Sequence, residues 1–450
     1  MLPVKNREYI INIEALSSSG AGIGRIDGFT MFISGAVTGD TVLAKVTKLN
    51  KSYGFAELLH ILAPSPSRRE PPCAHFHSCG GCQLMSMSYE AQCDYKRLLI
   101  RDALLRIGGI ECDLDFYPAP EPFRYRNKMV FPFSADGEWG FYRSGSHEVV
   151  PLKDCLLGDK LNASILNCIK NFLRDENIPA YNELTHTGIL RRVFIRTSSD
   201  TGNIMVVISV NADSIPRRER LVFKLRRLSP RISAILLNVN KKKTNLVLGG
   251  KNILLYGADT LSDKLLGLSY DISAHSFFQI NHDQTERLYK KALEYAALDK
   301  TKTVFDVYCG IGTISLCAAE QAKHVTGIEI VPEAIEDAKK NAAGNGITNA
   351  DFYCSAAEDI VPELILRGNR PNTVILDPPR KGSDKKTLGA ILAAAPERIV
   401  YISCNPATLA RDAKLLTQGG YTLTQAAGFD LFPQTVHVET VCLMSRVDNS

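Results

Sequence analysis

The sequence predicts an α/β protein: a doubly wound, mostly parallel sheet in the C-terminal part, preceded by a small OB-like β-barrel and a mixed α+β central segment. Three observations lead there. From about residue 266, short apolar runs alternate with helical ones, the pattern of a parallel sheet covered on both faces. Residues 4–62 instead hold about five short alternating runs split by glycines, enough for a small closed barrel. Between the two, the proline-rich APSPSRREPPC (63–73) breaks every period and reads as a linker. With 450 residues, 45% hydrophobic and 22% charged, the chain has the balance of a soluble multidomain protein. The expected division is 1–64, 65–262 and 263–450.

The barrel strands are read in YIINIEAL, GIGRIDGFTMFISGAV, DTVLAKVTKL and GFAELLHIL. A helix is expected from Tyr89 to Arg106, with Leu98, Leu99, Ala103 and Leu105 near one face. Residues 123–260 contain β-rich pieces such as RRVFIRTSS, NIMVVISV and AILLNVN. In the C-terminal part, TVFDVYCG, HVTGIEIV, ADFYCS, NTVILDPP and ERIVYISCNP read as strands. ISLCAAEQA, PEAIEDAKKNAAGNG and KKTLGAILAAA read as the helices between them.

Chemistry gathers at the ends of those strands. Asp306, Gly310 and Gly312 form D-x-x-x-G-x-G between a strand and a helix, where glycines let a ligand approach the backbone. No third glycine completes the dinucleotide pattern. Glu329 ends the next strand, where an acid takes both hydroxyls of a ribose, so an adenosine-type ligand fits better than a pyrophosphate; a solvated strand-end carboxylate is the plainer alternative. Asp377-Pro378-Pro379-Arg380-Lys381-Gly382 stops a third strand and puts an acid on the carboxyl edge of the sheet. Ser403-Cys404-Asn405-Pro406 puts a thiol at a strand tip, a place suited to a nucleophile. Cys93, Cys112, Cys168, Cys317, Cys354 and Cys442 are expected to be small buried apolar residues, and Cys309 is ambiguous.

Cys73-x5-Cys79-Gly-Gly-Cys82, with a remote Cys155, points to a metal centre, and three clustered thiols plus one suit an iron–sulfur cube better than zinc. His75 and His77 are alternative zinc ligands or plain loop residues. The net charge is only +5, yet residues 217–251 carry eleven Lys or Arg against one acid, Glu219. Such a patch attracts polyanions, nucleic acid above all. Leu221, Leu225 and Leu228 at helical spacing leave open the plainer reading, the wet face of an amphipathic helix. No apolar run approaches the ~18 residues of a membrane helix, and the N-terminus lacks a signal-peptide core. A cytoplasmic protein with no membrane contact and no evident obligate protein partner is expected.

Taken together, these motifs resemble the RNA uracil-5-methyltransferases, specifically the iron–sulfur members with an N-terminal TRAM domain. Ser276-Phe277-Phe278-Gln279-Ile280-Asn281 is similar to the family's SFFQxN segment and Asp306-Val307-Tyr308-Cys309-Gly310 to its cofactor loop. The resemblance implies a TRAM module over 1–64, a Rossmann-like class I methyltransferase domain, and a [4Fe–4S] cluster on Cys73, Cys79, Cys82 and Cys155. It implies S-adenosylmethionine contacts from Gln279, Tyr308, Glu329 and Asp377, with Asp306 and Gly310 in the same loop system. Cys404 is then the nucleophile and Glu439, in His437-Val438-Glu439-Thr440-Val441, the base. Arg126, Asn127 and Lys128 either hold RNA or form a basic turn. The expected substrate is 23S ribosomal RNA, with transfer RNA as runner-up and a catalytically inert RNA-binding or chaperone protein as the reading from another class.

Overall fold

The computed structural model describes residues 2–447. The first five strands, β1 (Glu8–Leu16), β2 (Gly22–Ile26), β3 (Phe29–Ile33), β4 (Thr41–Leu49) and β5 (Tyr53–Ala63), close a barrel in the order β1-β2-β3-β5-β4. Alternation does the work: in β4, Val42, Ala44 and Val46 point inward beside Ile11, Ile13, Met31 and Ile33, while their neighbours face out. The barrel is tied to the linker by Asp40, whose buried carboxylate accepts from Val37 N, Ser65 N and the Arg68 guanidinium.

After the linker comes α1 (Tyr89–Ala103), capped by Ser88 and prolonged by a π turn (Leu104–Gly108), then β6 (Leu114–Tyr117). The central part is a five-stranded sheet in the order β13-β12-β11-β10-β7, made of β7 (Lys128–Pro132), β10 (Leu190–Thr197), β11 (Ile204–Val210), β12 (Ile232–Val239) and β13 (Lys251–Gly257). The hairpin β8 (Gly140–Tyr142) and β9 (Val149–Pro151) and the helices α2 (Leu161–Asp175) and α3 (Arg218–Leu228) complete it. Helix α3 buries Leu221 and Leu225, but Leu228 stays exposed.

A second hairpin, β14 (Thr260–Leu265) and β15 (Leu268–Ser273), leads into the C-terminal part. There β16 (Thr303–Val307), β17 (His324–Glu329), β18 (Ala350–Cys354), β19 (Thr373–Leu376) and β20 (Arg398–Ser403) run parallel. Of the last two strands, β21 (Tyr421–Phe429) runs in the same sense as these five, and β22 (Glu439–Arg446) turns back to lie antiparallel between β20 and β21. The full order is β18-β17-β16-β19-β20-β22-β21-β6. Strand β6, from the segment expected to be central, thus extends this sheet alongside β21, and the apolar face of α1 packs with it. Helices α4 (His282–Ala296), α5 (Thr313–Ala319), α6 (Pro332–Gly344), α7 (Ala357–Leu366), α8 (Lys385–Ala394) and α9 (Pro406–Gln418) supply the two outer layers. Among the described residues no helix is long and apolar enough to cross a membrane.

Candidate active site and cysteine-lined cavity

The parallel strands end at one edge, and the expected ligand residues meet there. After β16 the chain turns sharply: Tyr308, Gly310 and Gly312 all have positive φ, and the amides of Tyr308 and Cys309 both donate to the Ile328 carbonyl. At Gly312 a Cβ would sit 3.2 Å from Phe352 and 3.3 Å from Ala338, so this position is closed to other side chains, whereas the space at Gly310 is open. The Glu329 carboxylate accepts from Gly310 N at 3.3 Å and from the amides of Ile330 (2.8 Å) and Val331 (3.0 Å). It is thereby held at the mouth of the turn.

Asp306 lies beneath. Its Oδ2 accepts from Ser315 Oγ, its Oδ1 has no partner, and burial pushes its carboxyl up to about 7. Asp377, directly after β19, is likewise raised to about 7, by burial first and then by the charge of Asp306. Gln279 is buried and its carbonyl accepts from Asn127 Nδ2 at 2.9 Å. The Tyr308 hydroxyl shares a hydrogen bond with Ser383 Oγ at 3.0 Å. A network not expected from sequence continues from there: the fully buried Asp412 of α9 accepts from Ser383 N (2.9 Å) and from Tyr401 OH (2.6 Å). This holds the loop after Asp377 against α9 and so steadies Tyr308.

Cys404 and Glu439 reach the same edge from neighbouring strands. The β20–β22 ladder closes with Ser403 opposite Thr440, which puts Cys404 and Glu439 on either side of the next step. An antiparallel strand begins where its parallel neighbours end, so the first residue of β22 belongs to the ligand edge. Asn405 caps α9 through Ala407 N and donates to the Arg380 carbonyl, joining the two loops. Burial pushes the half-buried Cys404 thiol up to about 12; Glu439 and Asp377 add to the rise and Arg380 opposes it. Burial and then Asp377 hold the Glu439 carboxyl well above the usual carboxylate range. His437, beside Arg380 at 3.4 Å, is pulled down to about 4 by burial and by the cations of Arg380, Lys96 and Arg126.

A second constellation lies in the segment before α1. Cys73, Cys79, Cys82 and Cys155 line one cavity of about 200 Å³, with Phe76, Met85, Phe141 and Leu152 as apolar walls and Arg126 at its side. Burial raises the Cys155 thiol to about 11 and Cys82 higher still, and each feels the other sulfurs. Gly80 is needed for close approach, because a Cβ there would meet Ser144 N at 2.8 Å and Tyr142 O at 2.9 Å. Among the described residues no three ligating side chains converge on the point a single ion needs. The thiols surround a space instead. His75 also lines it, and its Nε2 accepts from Lys153 N at 3.2 Å.

Arg126, Asn127 and Lys128 divide in role. Asn127 is bonded to the backbone of Gln279 and Ile280, Arg126 keeps a buried Nε without a partner, and Lys128 lies 5.5 Å from the ring of the exposed Phe277. Burial, then Arg196 and Arg126, bring Lys128 down to about 8. The basic stretch is less free than its charge count suggests. Arg217 and Arg220 both pair with Glu176, Lys224 with Asp175, Arg231 with Asp159 and Lys241 with Asp213. Of the cysteines expected to be buried, Cys93, Cys317 and Cys442 are, Cys112 and Cys168 are half-buried, and Cys354 is exposed on edge strand β18. Cys309 is buried.

Comparison with known proteins agrees with this geometry. Residues 235–447 match the family model described as tRNA (Uracil-5-)-methyltransferase, and residues 5–59 match the TRAM domain. The chain is 44% identical to an uncharacterized RNA methyltransferase of Clostridium tetani, over 99% of this chain and 98% of that one. It is 42% identical to another from Halalkalibacterium halodurans, over 98% of each. Among solved structures, the Pyrococcus abyssi tRNA (uracil-54, C5)-methyltransferase in complex with S-adenosyl-L-homocysteine superposes with a TM-score of 0.80 at 26% identity, covering 97% of this chain and 99% of that one. A barrel and a strand-edge site of this kind, on a sequence this similar over its whole length, place the chain in the RNA uracil-5-methyltransferase family with an N-terminal TRAM domain.

Proposed function

We propose that the protein methylates C5 of a uridine in RNA through a transient bond between Cys404 and C6 of the ring, with S-adenosylmethionine as methyl donor. The observation that carries this reading is the convergence of Cys404 and Glu439, from adjacent strands, beside the buried Asp377. Gln279, Tyr308, Glu329 and Asp377, with Asp306 and Gly310 behind them, hold the donor. Bound there, it supplies an electrophilic methyl group on a sulfonium cation.

C5 of uracil is a weak nucleophile until electron density is pushed onto it. Cys404 would give its proton to solvent and add to C6, leaving the ring as an enolate whose C5 would bond the methyl carbon as the sulfonium–methyl bond breaks and the electron pair stays on the donor's sulfur, now a neutral thioether. Glu439 then removes the C5 proton, and the electrons of that C–H bond re-form the C5–C6 double bond as the Cys404 sulfur leaves. Burial and mutual repulsion disfavour the charged forms of Cys404, Glu439 and Asp377 together. A cationic ligand beside Asp377 lowers the cost of ionising its neighbours, and Arg380 favours the thiolate. The chemistry thus starts only in the loaded site. The target base must also be unstacked, at a cost of a few kcal/mol, which TRAM contacts with phosphates and bases offset.

The thiols of Cys73, Cys79, Cys82 and Cys155 around the cavity would hold a [4Fe–4S] cluster, which would tie the segment 73–82 to Cys155. Methyl transfer of this kind consumes no electron, so the role is structural or RNA-shaping. The substrate reading is 23S ribosomal RNA, supported by TRAM together with the cysteine cavity. Transfer RNA is the second reading, favoured by the likeness to the P. abyssi enzyme. RNA carrying 5-fluorouridine, which cannot lose a proton from C5, is expected to trap a covalent adduct with the wild-type protein and none with Cys404→Ala. Full product formation by Cys404→Ala would overturn the mechanism, and mapping 5-methyluridine across total RNA with and without the protein decides the substrate.

A further inference from the structure

The loop joining β21 to the catalytic strand β22 is held far more tightly than a connection needs. Phe429 already pairs with Glu439, so the ladder alone brings the two strand ends together. Yet residues 430–438 are bonded at nearly every step. Lys96 of α1, wholly buried, donates to Asp430 Oδ1 at 2.6 Å and to the Phe432 carbonyl at 3.0 Å. Tyr125 OH donates to the Pro433 carbonyl. Gln434 is clamped from both sides: its amide donates to Gln92 Oε1 and its side-chain oxygen accepts from Gln92 Nε2, each at 3.0 Å, while its carbonyl accepts from the amides of both Gln83 and Leu84. Those two amides follow Cys82 directly.

Gln434 also has φ 71°, a left-handed conformation that a non-glycine residue adopts only under strain. Glycine would take this turn without strain. It would lack the side-chain amide that pairs with Gln92, and strain held by surrounding bonds beside an active site points to a function.

We propose that residues 430–438 form a positioning strap, in which Gln92 and Lys96 of α1 lock Gln434 and Asp430 so that the cysteine-bearing loop sets where the Glu439 carboxyl stands relative to Cys404. Gln92 and Gln434 are positioning residues; neither touches the reacting atoms. The inference rests on the proposed role of Glu439 as base.

The test uses the full-length protein and the variants Gln92→Ala and Gln434→Gly, with Leu225→Ala in the distant core of α3 as a control for general destabilisation. Expected is a rate of adduct trapping on 5-fluorouridine RNA within about twofold of wild type, but adduct resolution on ordinary RNA slowed about tenfold or more, the size of effect a small misplacement produces. Amide exchange over 434–439 and 83–84 should quicken in both variants and not in Leu225→Ala. The proposal is overturned if resolution keeps its wild-type rate, or if trapping, resolution and RNA affinity all fall together as in the control. Should the wild type form no adduct at all, the catalytic reading fails. The strap is then judged on exchange alone, where unchanged protection at 434–439 in Gln92→Ala refutes it.

Discussion

At the scale of single residues, the site is a set of acids and a thiol whose charged forms burial disfavours. In the proposed mechanism Glu439 accepts a proton late, so Glu439→Gln is expected to lower turnover by about 10²–10⁴-fold while still letting Cys404 add. The methylated adduct then accumulates on ordinary RNA and is seen as a slow-migrating band under denaturing conditions. Absence of that band, with turnover equally lost, would remove Glu439 from the base role. Asp377 gives a pH prediction. Its carboxyl stands at about 7 against an ordinary 3.8, so folding favours its protonated form. That contribution is complete below about pH 4 and is lost as the pH rises through 7. Asp377→Asn is therefore expected to melt above the wild type at pH 8 and close to it below pH 4, without bound donor. Since a tenfold change in an acid's dissociation constant corresponds to about 1.4 kcal/mol, the gap at pH 8 should be of that order or larger. A gap that shrinks with rising pH would refute this.

At the scale of elements, strand direction and loop bracing make the site. Five strands end at the ligand edge and β22 begins there, which is how a thiol from β20 and a carboxyl from β22 become neighbours. The loop after Asp377 is fixed by Asp412 on α9. Asp412→Ala strips acceptors from Ser383 N and Tyr401 OH, a loss of about 1–3 kcal/mol for each buried donor left unpaired. Through Ser383 and Tyr308 this is expected to weaken donor binding, read by titration calorimetry, more than RNA binding. On the proposed cluster-bearing form of the segment 73–84, iron chelation is expected to lower RNA affinity and the thermal midpoint together. If turnover vanished while both stayed intact, a direct chemical role for the cluster would be required.

At the scale of the whole molecule, the barrel, the cysteine loop, α1 and the catalytic sheet meet around residues 430–438. A Cβ on Gly20 of the barrel would come within 2.9 Å of Val436 and 3.2 Å of Gln83, and Tyr95 OH donates to the Ser17 carbonyl. The Lys96–Asp430 pair is buried on both sides, so Lys96→Met should cost about 3–5 kcal/mol in denaturant unfolding, the penalty for leaving one buried charge alone. A matching Asp430→Leu change in the same chain should recover most of that loss, and failure to recover it would mean the pair does more than satisfy itself.

Local pattern was enough for the barrel, because inward and outward residues alternate within each strand and glycines mark the turns. It was enough for the parallel strands and for the placing of Asp306, Gly310, Glu329, Asp377 and Cys404 at their ends, since a strand's C-terminal end is visible in one stretch of sequence. Glu439 and Gln279 were reached through family resemblance, and no local signal marks them: the first lies beside Cys404 only because an antiparallel strand starts at that edge, and the second lies in a loop bonded to Asn127, 152 positions away. Contacts of long sequence separation decided the rest. Four of the acids that pair with the basic stretch, Asp159, Asp175, Asp213 and Glu176, lie outside it. Asp412 beneath Tyr401 and Gln92 against Gln434 leave no periodic trace either, because a hydrogen bond depends on where two side chains meet in space and not on the spacing of residues along either element.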